Sequence, residues 1–157
     1  MLVQDVINLI NLEADELLDE DTDNIPYINA AIDYLSFTLA GMGSSDCMTT
    51  LQIVSGLPVP SNFIEFVPQN GYPAYIFGDL FYTNNGGAVK VKYATAQPHV
   101  SVITDTIPFK DMYVTTLVFI ASYLIKKKTY IPTEYTNTDK TFISDIVASI
   151  KAAKGVS

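Results

Sequence analysis

The chain has 157 residues, 48% of them hydrophobic, with a single cysteine and a formal net charge of −8. This length fits one domain, which buries roughly 70% of the surface its unfolded chain exposes, so a core needs neither disulfide nor metal. Cys47, being alone, excludes an internal disulfide and any multi-cysteine zinc site, and it reads as a small buried hydrophobe.

In chain order, Val3, Val6, Ile7, Ile10, Ala14, Leu17 and Leu18 recur at helical spacing, so residues 2–19 are expected as an amphipathic helix. A second helix is expected over 26–40, with Ile28, Ala31, Ile32, Leu35 and Leu39 on one face and Pro26 in its first turn, where the missing N–H costs nothing. "GMGSS" ends it. The short connection predicts that the two helices pack as an antiparallel hairpin.

The middle of the chain then changes character. Residues 49–54, 62–67, 74–77, 80–83 and 88–94 are short, rich in β-branched and aromatic residues, and punctuated by Gly and Pro, the signature of strands. In "AVKVKYA", Val89, Val91 and Tyr93 alternate with Lys90 and Lys92. The preceding "NNGG" offers positive φ angles at Asn85-Gly86, which predicts that 80–83 pairs antiparallel with 88–94.

Helices return over 109–128, burying Tyr113, Thr116, Leu117, Ile120, Tyr123 and Leu124, and over 138–154, burying Phe142, Ile143, Ile146, Val147 and Ile150. Pro132 separates them, Asp139 sits in the first turn of the last helix, and Gly155 closes it. The expected fold is α+β: an N-terminal helical hairpin (2–41), a small central antiparallel sheet with a hairpin (47–108), and two C-terminal helices (109–157) in one domain.

The N-terminal "MLVQDVINLI" lacks a basic stretch and carries Asp5, unlike a secretory signal. The longest uncharged apolar-rich run, 112–125, is too short for a bilayer and is interrupted by Thr115, Thr116 and Ser122. A soluble protein made in a cytoplasm, with no membrane partner, is expected. Its charge is unevenly spread. Residues 1–89 carry 12 carboxylates and no basic side chain, whereas 90–157 carry nine lysines and five carboxylates. Complementary faces of this kind meet within a molecule or between neighbours, or simply keep the chain soluble. The lack of arginine argues against tight phosphate or base recognition, which relies on the guanidinium fork.

"DEDTDNI", residues 19–25, has the alternating aspartates of a calcium loop. An EF-hand loop also needs glycine at position 6 and a bidentate glutamate at position 12. Counted from Asp19, those places hold Asn24 and Ala30, so the stretch reads as an acidic turn capping the next helix. His99 is the only histidine, which leaves a Ser–His or Cys–His mechanism one possible base and rules out a two-histidine metal site. It follows Pro98 and reads as a loop or packing residue. There is no phosphate-binding glycine fingerprint, and Glu13 and Glu16 lie on a solvated face without a pocket to raise a pKa. No catalytic residue, metal site or cofactor is expected. Lys126, Lys127 and Lys128 suit the dipole of a helix C-terminus, or an acidic neighbour. Tyr72, Tyr130 and Tyr135, near turns, suit a wet interface.

Three phrases together resemble the head-to-tail adaptor (connector, head-completion) proteins of tailed bacteriophages. They are "LPVPSNFIEF", "YIFGDLFYTNNGGAVKVKYATAQP" and "DTIPFKDMYVTTLVFIASYLIKKK". Ile76, Gly78 and Asp79 match that family's "I-x-GD" in the first arm of a hairpin. Val89, Val91 and Tyr93 match "V-x-V-x-Y" in its second arm, and Ile107 and Pro108 match the crossing into a long helix. The acidic N-terminal helices and the lysine-rich C-terminal half have no residue-by-residue match. The resemblance implies a non-enzymatic virion protein: a ring, usually a homododecamer, docked beneath the portal protein and joining capsid to tail. It would contact tail or neck proteins and let DNA pass its lumen without sequence-specific binding. The interaction residues expected are Asn84, Asn85, Gly86 and Gly87 at the hairpin tip, Lys126, Lys127 and Lys128, and the tail from Lys151 through Lys154. The other reading, from the acidic first half, is a small binding module or inhibitor that competes with nucleic acid for a basic partner.

Overall fold

The computed structural model of the chain describes residues 1–15, 17–67, 73–129 and 135–155, the side chains of 129 and 135–140 excepted. Glu16, Tyr72, Tyr130 and Pro132, with the side chains of Tyr135 and Asp139, lie outside the described residues. The fold is mixed α+β, with helices toward both ends and antiparallel strands between. The chain forms two compact units, one from residues 1–38 and 97–157 and one from 39–96. Residues 97–108, expected with the β-rich part, thus belong with the helices.

In the helical unit, α1 (Val3–Glu13) buries Val3, Val6, Ile7 and Ile10, as its periodicity predicts. It is shorter than the expected 2–19. Ala14 caps it, and Asp15 turns into the left-handed region at φ 53, a common way for a helix to stop. Leu17 and Leu18 are therefore half-buried beyond the helix. Asp15 is a poor residue for this place, being L-configured and negative at the negative end of the dipole. Asp15→Gly is expected to raise stability by about 0.5 kcal/mol, part of the relief being lost to glycine's freedom in the unfolded chain. A urea titration measures it.

The first turn of α1 has no side-chain cap. The loop at 103–107 takes that role: Val3 N–H donates to Asp105 O (2.9 Å), Gln4 N–H to Ile103 O (3.0 Å), and Leu2 bridges Thr106. Orphan helix N–H groups are thereby satisfied by backbone. Asp105 shapes this loop, its carboxylate accepting from Ser101 N–H at 2.7 Å and Val102 N–H at 3.1 Å. The bond from Ser101, then that from Val102, holds its carboxyl below the usual range. A lowered folded pKa means stabilisation that is present above the unfolded value and lost as pH falls through the folded one. The melting difference between wild type and Asp105→Ala is expected at neutral pH and to shrink below about pH 4.

The acidic stretch after α1 folds as a 3₁₀ turn (Asp21–Asn24) closed by a reciprocal box between Glu20 and Asp23. It leads directly into α2 (Ile25–Gly41), with Pro26 in the first turn as expected. Asn24 is buried, its Nδ2 donating to Asp21 O at 3.1 Å, while Gln4 Nε2 donates to Asp21 Oδ2 at 3.0 Å. Among the described residues no group of three His, Cys, Asp or Glu side chains is placed to hold a metal ion. Along the helices, α1 lies most closely against α3 (Val114–Thr129) rather than α2, and α3 lies against α4 (Tyr135–Lys154). A 3₁₀ turn, Asp111–Tyr113, starts the third helical segment that was expected from residue 109. In α4 the buried stripe is Phe142, Ile146 and Ile150; Ile143, expected inside, is 48% exposed.

The β unit contains β1 (Met48–Ile53), β2 (Phe63–Phe66), β3 (Ala74–Phe77), β4 (Leu80–Thr83) and β5 (Val89–Thr95). All five match the expected segments closely, but one pairing differs. β4 pairs with β3, not with β5, and β5 is the centre of a sheet ordered β1-β5-β2. The cause is the dipeptide Gly78-Asp79. Both residues have positive φ, 59 and 62, the two-residue geometry that matches the twist of paired strands. In the Asn84–Gly87 link only Gly86 does (φ 72), and both edges of β5 are already occupied. Within β5, Val91 and Tyr93 are buried while Lys90 and Lys92 are exposed, as the alternation predicts. Phe81 of β4 joins the hairpin to this sheet: it is fully buried, 5.8 Å from the rings of both Phe63 and Phe66.

Candidate interaction surfaces

The expected site residues fall into three separate places. Asn84, Asn85, Gly86 and Gly87 link β4 to β5 and are all exposed. Asn85 Oδ1 accepts from Gly87 N–H at 2.9 Å and Asn84 N–H donates to Pro73 O at 3.0 Å, so the loop is self-satisfied and uncharged. Lys126, Lys127 and Lys128 end α3, and Lys151 and Lys154 end α4. Tyr123 stacks on Phe142 at 4.1 Å, whereas Thr116 Oγ1 meets Ser149 Oγ at 2.6 Å, so the two helices run antiparallel. At 1.5 Å rise per residue the two lysine groups stand about 20 Å apart along the pair. Each sits at its own helix C-terminus, where positive charge is stabilised locally. They do not form one basic patch.

His99 is held in place by α2. Its Nε2 lies 2.8 Å from Asp33 Oδ1, both side chains being about half exposed (55% and 42%). One turn earlier Asn29 makes a paired contact with the extended chain, its Nδ2 donating to Val100 O at 2.9 Å and its Oδ1 accepting from Val100 N–H at 2.8 Å. Ser36 Oγ accepts from Gln97 N–H at 3.0 Å. One face of α2 therefore supplies side chains where a neighbouring strand would supply backbone. Asp33 is the only hydrogen-bond partner of His99 among the described residues, and no hydroxyl or thiol is aligned with it. The histidine's place is in this zipper.

Sequence periodicity did not single out the most prominent surface. In β3, Tyr75, Ile76 and Phe77 are all exposed, Phe77 at 75%, which breaks the alternation of a half-buried strand. Tyr75 stacks on Tyr82 directly across the hairpin, with centroids 5.5 Å apart. Strand β3 thus carries bare apolar side chains up to the Gly78-Asp79 turn. The signal was in "YIFGDL", three consecutive large apolar residues followed by a turn dipeptide.

A second apolar surface is concave. In the helical unit a groove of about 560 Å³ is lined by Leu9 and Leu12 of α1, Val118 and Phe119 of α3, and Ala148 of α4. Glu13, Asp145, Thr115 and Ser149 line it as well. Leu12 is 80% exposed, the highest value among the large hydrophobic side chains of the described residues.

Several charged side chains stand without an ion pair among the described residues. Lys90, Lys92, Lys126, Lys128 and Lys151 make no ion pair among the described residues, nor do Glu13 and Asp145. No protein-family model matches the chain, and no curated protein matches it.

Proposed function

We propose that this chain is a non-enzymatic structural protein of the bacteriophage neck, a subunit of an oligomeric ring between portal protein and tail. The observation that carries the reading is the hairpin of β3 and β4, whose exposed Tyr75, Ile76 and Phe77 form an apolar patch of the kind that marks a protein-contact surface. The family-like phrases in the sequence supply the kind of partner: further copies of the chain, the portal protein, and tail or neck proteins. Uncompensated acidic and basic side chains agree with contacts made between subunits rather than within one. An acidic lumen would repel phosphates and let DNA pass without binding it. No described helix is long and apolar enough to cross a membrane.

Electron microscopy of the protein with portal-bearing capsids tests the proposal. A cyclic ring, twelvefold on the family pattern, at the portal vertex is the expected image. A chain that stays monomeric and ignores the portal overturns it. Salt-sensitive binding to a basic DNA-binding protein without any ring would instead assign the acidic-module function.

A further inference from the structure

Thr115, Val118, Phe119, Ser122, Tyr123 and Lys126 recur along one face of α3 at helical spacing and floor a continuous trough. The groove described above is its first half. A second cavity of about 270 Å³ continues it, and the two halves share Glu13, Phe119 and Asp145. The sides come from α1 and α4, both of which lie against α3. At 1.5 Å rise per residue the floor runs about 16 Å, or about three turns of helix. We propose that this trough receives a basic amphipathic helix of a partner protein. The helix would lay its apolar stripe on Leu9, Leu12, Val118 and Phe119 and set lysine or arginine side chains beside Glu13 and Asp145.

Charge selects this occupant over its rivals. Glu13 and Asp145 are exposed, line both halves of the trough, and make no ion pair among the described residues. Against them the trough holds one lysine, Lys126, at its far end. An acidic helix would set like charges together, and a purely apolar one would cover two carboxylates with nothing to pair them. A lysine or arginine meets both needs, since its stem packs on apolar walls while its head reaches the carboxylates. The unit that holds the trough, residues 1–38 and 97–157, carries 14 carboxylates against seven lysines, which also steers a basic partner toward it from a distance. A second copy does not meet these terms. Its other unit, 39–96, carries Asp46, Glu65 and Asp79 against Lys90 and Lys92, so both units are net negative. Its helices α1 and α4 already bury their apolar stripes, Val3, Val6, Ile7 and Ile10 in one and Phe142, Ile146 and Ile150 in the other, within their own copy.

The site does not depend on the ring reading: capsid imaging judges the ring, and peptide binding judges the trough. The full chain is titrated against two labelled synthetic peptides of about 14 residues, each with leucines at i, i+3, i+4 and i+7 spacing. One carries lysines at the remaining positions and the other glutamates, and fluorescence anisotropy reads binding. Wild type is expected to bind the lysine peptide about tenfold more tightly than the glutamate peptide. Glu13→Lys combined with Asp145→Lys is expected to abolish that preference. Asp5→Lys combined with Asp19→Lys, an equal change of charge at exposed positions outside the trough, is expected to keep it. Leu12→Ser is expected to weaken the lysine peptide about fivefold. All these positions are exposed, so the variants are expected to melt as wild type does. Equal losses from the two charge reversals would assign the attraction to the general acidity of the unit and overturn the trough as its site. Failure of the lysine peptide to bind, or binding that Leu12→Ser leaves unchanged, overturns it as well.

Discussion

Phe81→Ala is expected to lower stability by about 3–5 kcal/mol and to remove most amide protection from β5. Phe81 is fully buried and its ring meets both Phe63 and Phe66. Those two also contact each other at 5.1 Å, and Phe63 lies 5.2 Å from Tyr93. The truncation thus opens a cavity in the core cluster that the β3–β4 ribbon shares with the three-stranded sheet, where Phe81 and Ala74 are buried with Ile53, Val91 and Tyr93. A unit as small as residues 39–96 has little surplus burial to absorb that loss. Phe77→Ala serves as the comparison, because the same ring type on the same ribbon is 75% exposed and its loss should fall within about 0.5 kcal/mol. Thermal melts and hydrogen exchange read both. If the two variants melt alike, the aromatic cluster does not hold this unit.

Asn29→Ala is expected to cost about 2–4 kcal/mol, more than an exposed asparagine should. Its amide satisfies both the N–H and the C=O of Val100, which is only 5% exposed, so the variant leaves a buried donor and a buried acceptor unpaired. Asp33→Ala, four residues along the same helix face, breaks the 2.8 Å contact to His99 but should cost under about 1 kcal/mol, because both partners are half in water. Urea midpoints for the two variants distinguish a buried backbone clamp from a surface ion pair. Equal midpoints would show that the Val100 groups find other partners.

Most elements were legible because their signals are local. Five strands and four helices stand close to their expected places, and the face of Ile28, Ala31, Ile32 and Leu35 is buried as its spacing predicts. Two failures came from competing local signals. "NNGG" resembles a hairpin turn, but Gly78-Asp79 is shorter and adopts the required geometry at both residues. The apolar spacing of α1 runs through Leu18, yet Asp15 breaks it, and spacing does not register a left-handed residue. The partner of α1 was not legible, since α3 lies about a hundred residues later and tertiary packing decides it.

The interaction surfaces were less legible for a different reason. Lysines and glycines are conspicuous in a sequence, so 84–87, 126–128 and 151–154 drew attention, but in the fold they stand apart. Burial of apolar residues is the default expectation, and three adjacent ones in β3 read as core until exposure is known. Leu12 differs: its spacing already places it off the buried stripe of α1, but only the fold shows that it lines a groove with residues of α3 and α4.

The hydrogen bond between Ser36 Oγ and Gln97 N–H holds together two points that sixty residues of chain separate. The helical unit is thus discontinuous in sequence, and the β unit is an uninterrupted stretch inserted into it. Folding order follows from that arrangement. Joining residues 36 and 97 in an open chain carries the closure entropy of a long loop, and a stretch already folded between them reduces it. The β unit is expected to gain protection first and the zipper of Asn29, Asp33 and Ser36 afterwards. Pulse-labelled hydrogen exchange, comparing the amides of Val91 and Val100, would reveal the opposite order if it occurs.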